Sequence, residues 1–160
     1  MTLIVLISCA ALLGIAAGAR TFTPPVLVSW AAVIGWLPLE GTALGFLGTW
    51  WAVVPLTGLA LFELVGDKLP SAPSRLQKGA LIARIVSGAL TGAALGIALS
   101  LIFVGLIAGA FGAFAGTYLC HGGRATCASL FGKDLPAALL EDALAITVAC
   151  ATIWIASGFA

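Results

Sequence analysis

Two acidic pairs and three basic residues carry whatever chemistry this sequence can do. Glu63 and Asp67 stand four residues apart, which sets both carboxylates on one face of a helix. Lys68 follows directly. Glu141 and Asp142 are adjacent, so on a helix they point about 100° apart and form no dyad by themselves. Arg20 closes one apolar run and Arg84 interrupts another. Ionisable groups at membrane depth are costly, and they face either a partner or a water-filled cavity. Two readings follow. In one, these side chains are ion pairs and snorkelling groups that lock helix ends together. In the other, they line a vestibule for an ion, a proton or a polar headgroup. Four carboxylates against two arginines favour a cation or a proton.

A second element is "RTFTPP". Thr21, Thr23, Pro24 and Pro25 have the look of a broken helix. Pro25 cannot continue a helix begun upstream, but it can open a new one in its first turn. Such breaks are tolerated at membrane depth where they line a cavity or are buried in protein, and transporters use them to offer backbone groups to ligands. A plain turn between two spans is the simpler reading.

Enzymatic chemistry has little to stand on. The single histidine, His121, lies in a glycine-flanked stretch, and no Ser-His-Asp set, HExxH or phosphate-binding loop is present. Cys120 and Cys127 flank His121, but metal-ligand spacing would be tighter and repeated. Neither a metal site nor any cofactor is expected. A net charge of +1 suggests no nucleic-acid partner.

What must position these residues is a membrane bundle. The 160 residues are 62% hydrophobic and 8% charged, against about 25% charged in a soluble domain. The apolar blocks are continuous and rich in Ala, Leu and Gly, so helices and not a barrel satisfy the backbone in lipid. The expected fold is all-α: a polytopic transmembrane helical bundle of about six membrane segments, forming a single integral membrane domain over 1–160. The blocks are Thr2 to Ala19, Pro25 to Trp36, Trp50 to Val65, a long run from Ala80 to Cys120, and Ala137 to Trp154. The long run corresponds to about 60 Å of helix and must fold into two spans, with a turn near Ser100 to Gly105. Pro25 to Trp36 covers only about 20 Å, so it is a short span or a re-entrant half-helix. The first block is read as an uncleaved span, because it lacks the positive start of a signal peptide. "CHGGRATCASLFGKDLP" reads as a polar loop.

Orientation comes from basic residues. If 66–80 is cytoplasmic, a six-span count places Arg20, Lys68, Arg75, Lys78, Arg84, Arg124 and Lys133 all on the cytoplasmic side. Both termini then lie outside, in what would be the inner membrane. Glycines set the packing: Gly14/Gly18, Gly88/Gly92/Gly96, Gly105/Gly109 and Gly112/Gly116 recur at spacing four, a pattern that lets helix backbones approach closely in lipid. Such faces serve a static bundle, a sliding seam or an oligomer contact. "GDKLP" (66–70) and "GKDLP" (132–136) echo one another, as do 14–22 and 105–114, compatible with a weak repeat of a helical hairpin.

Three stretches, "GIAAGARTFTPPVLVSWAAVIGWLPL", "ELVGDKLPSAPSR" and "AGAFAGTYL…DLPAALLEDALAI", together resemble the bacterial membrane family called domain of unknown function 4126. The matching positions are Gly18, Arg20, Phe22, Pro24, Pro25, Glu63, Asp67, Lys68, Pro70, Glu141 and Asp142. The resemblance implies a membrane location and brings no established activity. The expected function is a transporter or permeation protein for an ion or small polar solute. Its site would lie in the cytoplasmic half, with Glu63, Asp67, Glu141 and Asp142 coordinating ions or carrying protons and Arg20 and Arg84 as counter-ions. The alternative is a non-catalytic accessory subunit that packs on a second copy or on other membrane subunits through its glycine faces. A third reading is an enzyme or flippase acting on lipid headgroups.

Overall fold

The computed structural model of the chain describes residues 3–67, 76–97, 100–132 and 134–158. Six α-helices lie among the described residues: α1 (Leu3–Ala19), α2 (Thr23–Val33), α3 (Trp50–Gly66), α4 (Lys78–Ile97), α5 (Ile102–Phe131) and α6 (Asp134–Ser157). Helices α4, α5 and α6 are long and apolar enough to cross a membrane, and α1, α2 and α3 are apolar but shorter. Large apolar side chains such as Phe62, Phe103, Phe111 and Trp154 stand exposed on the helices, as lipid contact requires.

Helices α1, α4 and α5 form the centre of the bundle, and glycine makes that centre possible. Gly88 and Gly92 of α4 pack on Gly109 and Gly105 of α5, while Gly14 and Gly18 of α1 pack on Gly109 and Gly116. A Cβ on Gly88 would lie 2.5 Å from the Gly109 carbonyl oxygen, and one on Gly96 would lie 2.6 Å from that of Leu101. Neither gap holds a carbon atom. With no water to expel between helices, close backbone approach supplies the van der Waals attraction. The pairings make α1 parallel to α5 and α4 antiparallel to both.

Helix α2 has only 11 residues, about 16 Å. Pro24 and Pro25 lie at its start, where a missing N–H costs nothing. The segment 34–49 continues inward from it as turns and a short 3-10 turn at Gly45–Gly48. Leu37, Leu39 and Leu47 of this segment are buried in one cluster with Leu6 and Leu13 of α1 and Ile153 of α6. The expected short segment, Pro25 to Trp36, is therefore helix as far as Val33 and turn from there, and the packed loop follows it. Because Leu6 and Ile153 share that cluster, the beginning of α1 and the end of α6 lie at the same end of the bundle. Trp30 and Trp50 stack edge to face there, 5.8 Å apart, and Trp36 and Trp51 are exposed nearby in the chain. We call this the aromatic end, and the opposite one the charged end.

The structure departs from the expected polar loop at 120–136. Helix α5 runs unbroken through "CHGGRATCASLF" for 30 residues, about 45 Å, longer than the hydrocarbon core. Polar residues do not end a helix. Gly122 and Gly123 are carried within it, and the stop comes at Gly132, which takes the left-handed conformation of a helix C-cap (φ 65°). Helix α4 ends at Ile97 and α5 begins at Ile102, close to the expected place of the turn, with Ser100 between them at φ 56°. The hairpins α1–α2 and α5–α6 have the same orientation, but their return helices differ greatly in length (11 and 24 residues). Much of the "GDKLP" and "GKDLP" echo, residues 68–70 and Lys133, lies outside the described residues.

Candidate functional site

The break between α1 and α2 is the hub of the charged end. Where α1 stops and α2 starts, carbonyls and N–H groups lose their helical partners, and lipid offers none. Other helices supply them. Glu63, near the end of α3, accepts from the backbone N–H of Thr21 (2.7 Å) and of Phe22 (2.9 Å), one to each carboxylate oxygen. An anion is thereby placed at the positive start of α2. Arg84 on α4 donates through Nη1 to the carbonyls of Gly18 (2.6 Å) and Ala19 (2.8 Å), a cation at the negative end of α1. Ser87, three residues further along α4, donates to the Thr21 carbonyl at 2.5 Å.

Arg20 lies inside this frame and is fully buried. Its Nε donates to Oδ1 of Asp142 at 2.6 Å, its Nη1 donates to Oδ2 of Asp67, and its Nη2 also pairs with Oδ1 of Asp142. One guanidinium therefore ties the break to the end of α3 and to the first half of α6. The two carboxylates differ in access: the Asp67 side chain is 23% exposed and that of Asp142 is 9% exposed. Of the expected site residues, Arg20, Glu63, Asp67, Arg84 and Asp142 converge here. Counting formal charges, three carboxylates face two guanidinium groups. Lys68 lies outside the described residues.

Glu141 goes elsewhere. It faces away from Asp142, as adjacency on a helix demands, and stands 3.8 Å from Nη1 of Arg124. Arg124 also grips Asp134 with a fork of two bonds, 2.9 and 2.6 Å, and reaches the Asp67 carbonyl at 3.4 Å. The charged end thus holds two clusters, one around Arg20 and one around Arg124. The second was missed because Arg124 and Asp134 were read as loop residues. Ser87 was missed too, although its three-residue offset from Arg84 places the two on one helix face.

Among the helix-break residues, Thr23, Pro24 and Pro25 are buried and Thr21 is half-buried. The nine glycines of the packing faces meet backbone or Cβ atoms of this same chain, so their close-approach surfaces are occupied within the fold. A groove of about 340 Å³ opens between α1, α5 and α6, with Arg124 and Glu141 at one end. Among the described residues no cluster of three metal-ligating side chains occurs.

A family model described as "Domain of unknown function (DUF4126)" matches residues 7–156. No curated protein and no solved structure matches the chain.

Proposed function

The chain belongs to DUF4126, and from that premise we propose that it is a membrane transporter or permeation protein for a proton or small cation. The observation that supports this reading is the Arg20 pair of carboxylates. Asp67 and Asp142 sit on separate helices, share one buried guanidinium, and differ in access to the charged end. A buried guanidinium must keep at least one counter-charge. A proton or cation that neutralises Asp67 leaves Arg20 held by Asp142, and loosens α3 from the break. Passing the charge on to Asp142 returns Arg20 to Asp67. Exchange between two partners is a two-state element of the kind alternating access needs. Glu63, Arg84 and Ser87 hold the broken backbone around which that exchange turns. The bias of basic residues toward the charged end supports a cytoplasmic position for it, and in that orientation Asp67 would be the inner station.

The accessory-subunit reading draws less support. It relied on the glycine faces as partner surfaces, and those faces are occupied by α1, α4 and α5 of the chain itself.

The test is flux in sealed proteoliposomes under imposed proton, Na⁺ or K⁺ gradients. The wild-type chain is expected to dissipate one of these gradients. Asp67→Asn and Asp142→Asn are each expected to abolish that flux while the purified protein stays helical and monodisperse. Wild-type vesicles as tight as empty ones to all three cations would sink the proposal.

A further inference from the structure

Arg84 stands where a broken helix offers its natural cation site. Carbonyls at the end of a helix carry the negative end of its dipole, and in broken-helix transporters such carbonyls coordinate the coupling ion. In this chain that place is filled from within. Nη1 of Arg84 lies 2.6 Å from the carbonyl oxygen of Gly18 and 2.8 Å from that of Ala19, the last two residues of α1. The residue is buried, so its charge is little screened by salt.

Other oxygens around the break are engaged as well. The Thr21 carbonyl accepts from Ser87, and the Phe22 carbonyl accepts from the Val26 N–H at 3.1 Å. Each oxygen of the Glu63 carboxylate accepts from a backbone N–H. Asp67 and Asp142 both meet the Arg20 guanidinium. A metal cation that leaves water needs a shell of oxygens to replace its hydration. To collect that shell here, it must expel a buried arginine or stand beside one. At about 4 Å from a guanidinium in a partly buried site, repulsion lowers its affinity about a thousandfold.

A proton meets repulsion too, but it asks for far less. It needs one carboxylate oxygen, no ligand shell and almost no volume. The Asp67 carboxylate takes it from the aqueous side as an O–H bond. That bond breaks when the proton passes to Asp142, which leaves Asp67 a carboxylate again. Arg84 and its two carbonyls need not move at any point.

We infer that the charge carried through the Arg20 pair is a proton, and that Arg84, as a resident cation at the end of α1, bars sodium and potassium. This selectivity rests on the permeation reading of Asp67 and Asp142 and adds a residue that is neither station.

Sealed proteoliposomes holding a pH-sensitive dye report proton entry, and parallel vesicles report uptake of radioactive sodium or potassium. Wild-type vesicles are expected to admit protons and to take up neither metal ion faster than empty ones. Arg84→Ala frees the Gly18 and Ala19 carbonyls and is expected to gain sodium uptake, at the limit by the same factor of about a thousand. Arg84→Lys keeps a cation there and is expected to keep sodium out. In detergent, sodium chloride in place of choline chloride is expected to raise the melting temperature of Arg84→Ala by a few degrees, as a bound ligand does, and to leave that of the wild type unchanged. Sodium or potassium uptake by the wild type overturns the inference and leaves the permeation reading standing. Wild-type vesicles tight to protons and to both metal ions sink that reading, and the inference with it. A folded Arg84→Ala protein that neither takes up sodium nor is stabilised by it also overturns the inference; if that variant does not fold, the wild-type comparison decides.

Discussion

Replacing Glu63 with glutamine separates a carboxylate that caps a helix from one that carries charge. The two oxygens of Glu63 accept from Thr21 and Phe22, at 2.7 and 2.9 Å. Glutamine keeps the shape and one acceptor, but turns an N–H₂ donor toward the second backbone N–H. The surviving bond loses its charge assistance, a difference of about 1 kcal/mol. The other N–H is left without an acceptor, at about 1–3 kcal/mol. The sum is about 2–4 kcal/mol, with the lower half expected because Glu63 is only partly buried. Equilibrium unfolding in mixed SDS micelles, followed by helical circular dichroism, measures this directly. Any flux per folded molecule should survive the change, since the Arg20 carboxylates are untouched. A Glu63→Gln protein within about 0.5 kcal/mol of wild type, the usual scatter of surface changes, would refute the capping argument. Lost flux at unchanged stability would move Glu63 into the permeation path.

Two other outcomes are expected. Gly92→Val forces a Cβ into the Gly105 carbonyl, and the nearest atoms are backbone, so the α4–α5 seam must part; the variant should aggregate or migrate as an expanded species in size-exclusion chromatography, whereas Gly58→Val, whose Cβ meets nothing within 4 Å, should behave as wild type. In a cysteine-free background, Glu40→Cys at the aromatic end and Lys78→Cys at the charged end should react with a membrane-impermeant maleimide from opposite sides of the membrane, Lys78→Cys from the cytoplasm; labelling of both from one side would overturn the orientation.

The sequence revealed depth better than direction. Arg20, Glu63, Asp67, Arg84 and Asp142 could be placed at one level because apolar run lengths set how far each lies from a helix end. Which group each one meets depends on helix rotation and on neighbours far away in the chain. Arg84 looked like a counter-ion for carboxylates, yet its Nη1 serves two backbone carbonyls. Glu141 was expected to share Arg20 and Arg84 as counter-ions with Asp142, yet its direction on the helix takes it to another arginine, Arg124. The glycines were legible because spacing four is itself the packing face. The end of α5 was not, because hydropathy falls at Gly122 while the helix continues to Phe131. Polarity marks where lipid stops and says nothing of where hydrogen bonding along the backbone stops.

Stability alone gives a poor account of the Arg20 cluster. The break needs acceptors for two N–H groups and donors for its carbonyls, and Glu63, Arg84 and Ser87 already provide them. Arg20, Asp67 and Asp142 add a fully buried cation and two carboxylates that pair with it and that the broken backbone does not use. Replacing such a buried ionic set by apolar side chains of similar volume is often neutral or stabilising by about 1–4 kcal/mol, whereas removing one member alone costs about 3–5 kcal/mol. A lock could therefore be built more cheaply from leucine and alanine, which this chain has in abundance. What apolar packing cannot do is exchange partners when a proton or cation arrives. In the proposed cycle the unequal access of Asp67 and Asp142 would give that exchange a direction, from the more exposed carboxylate to the more buried one.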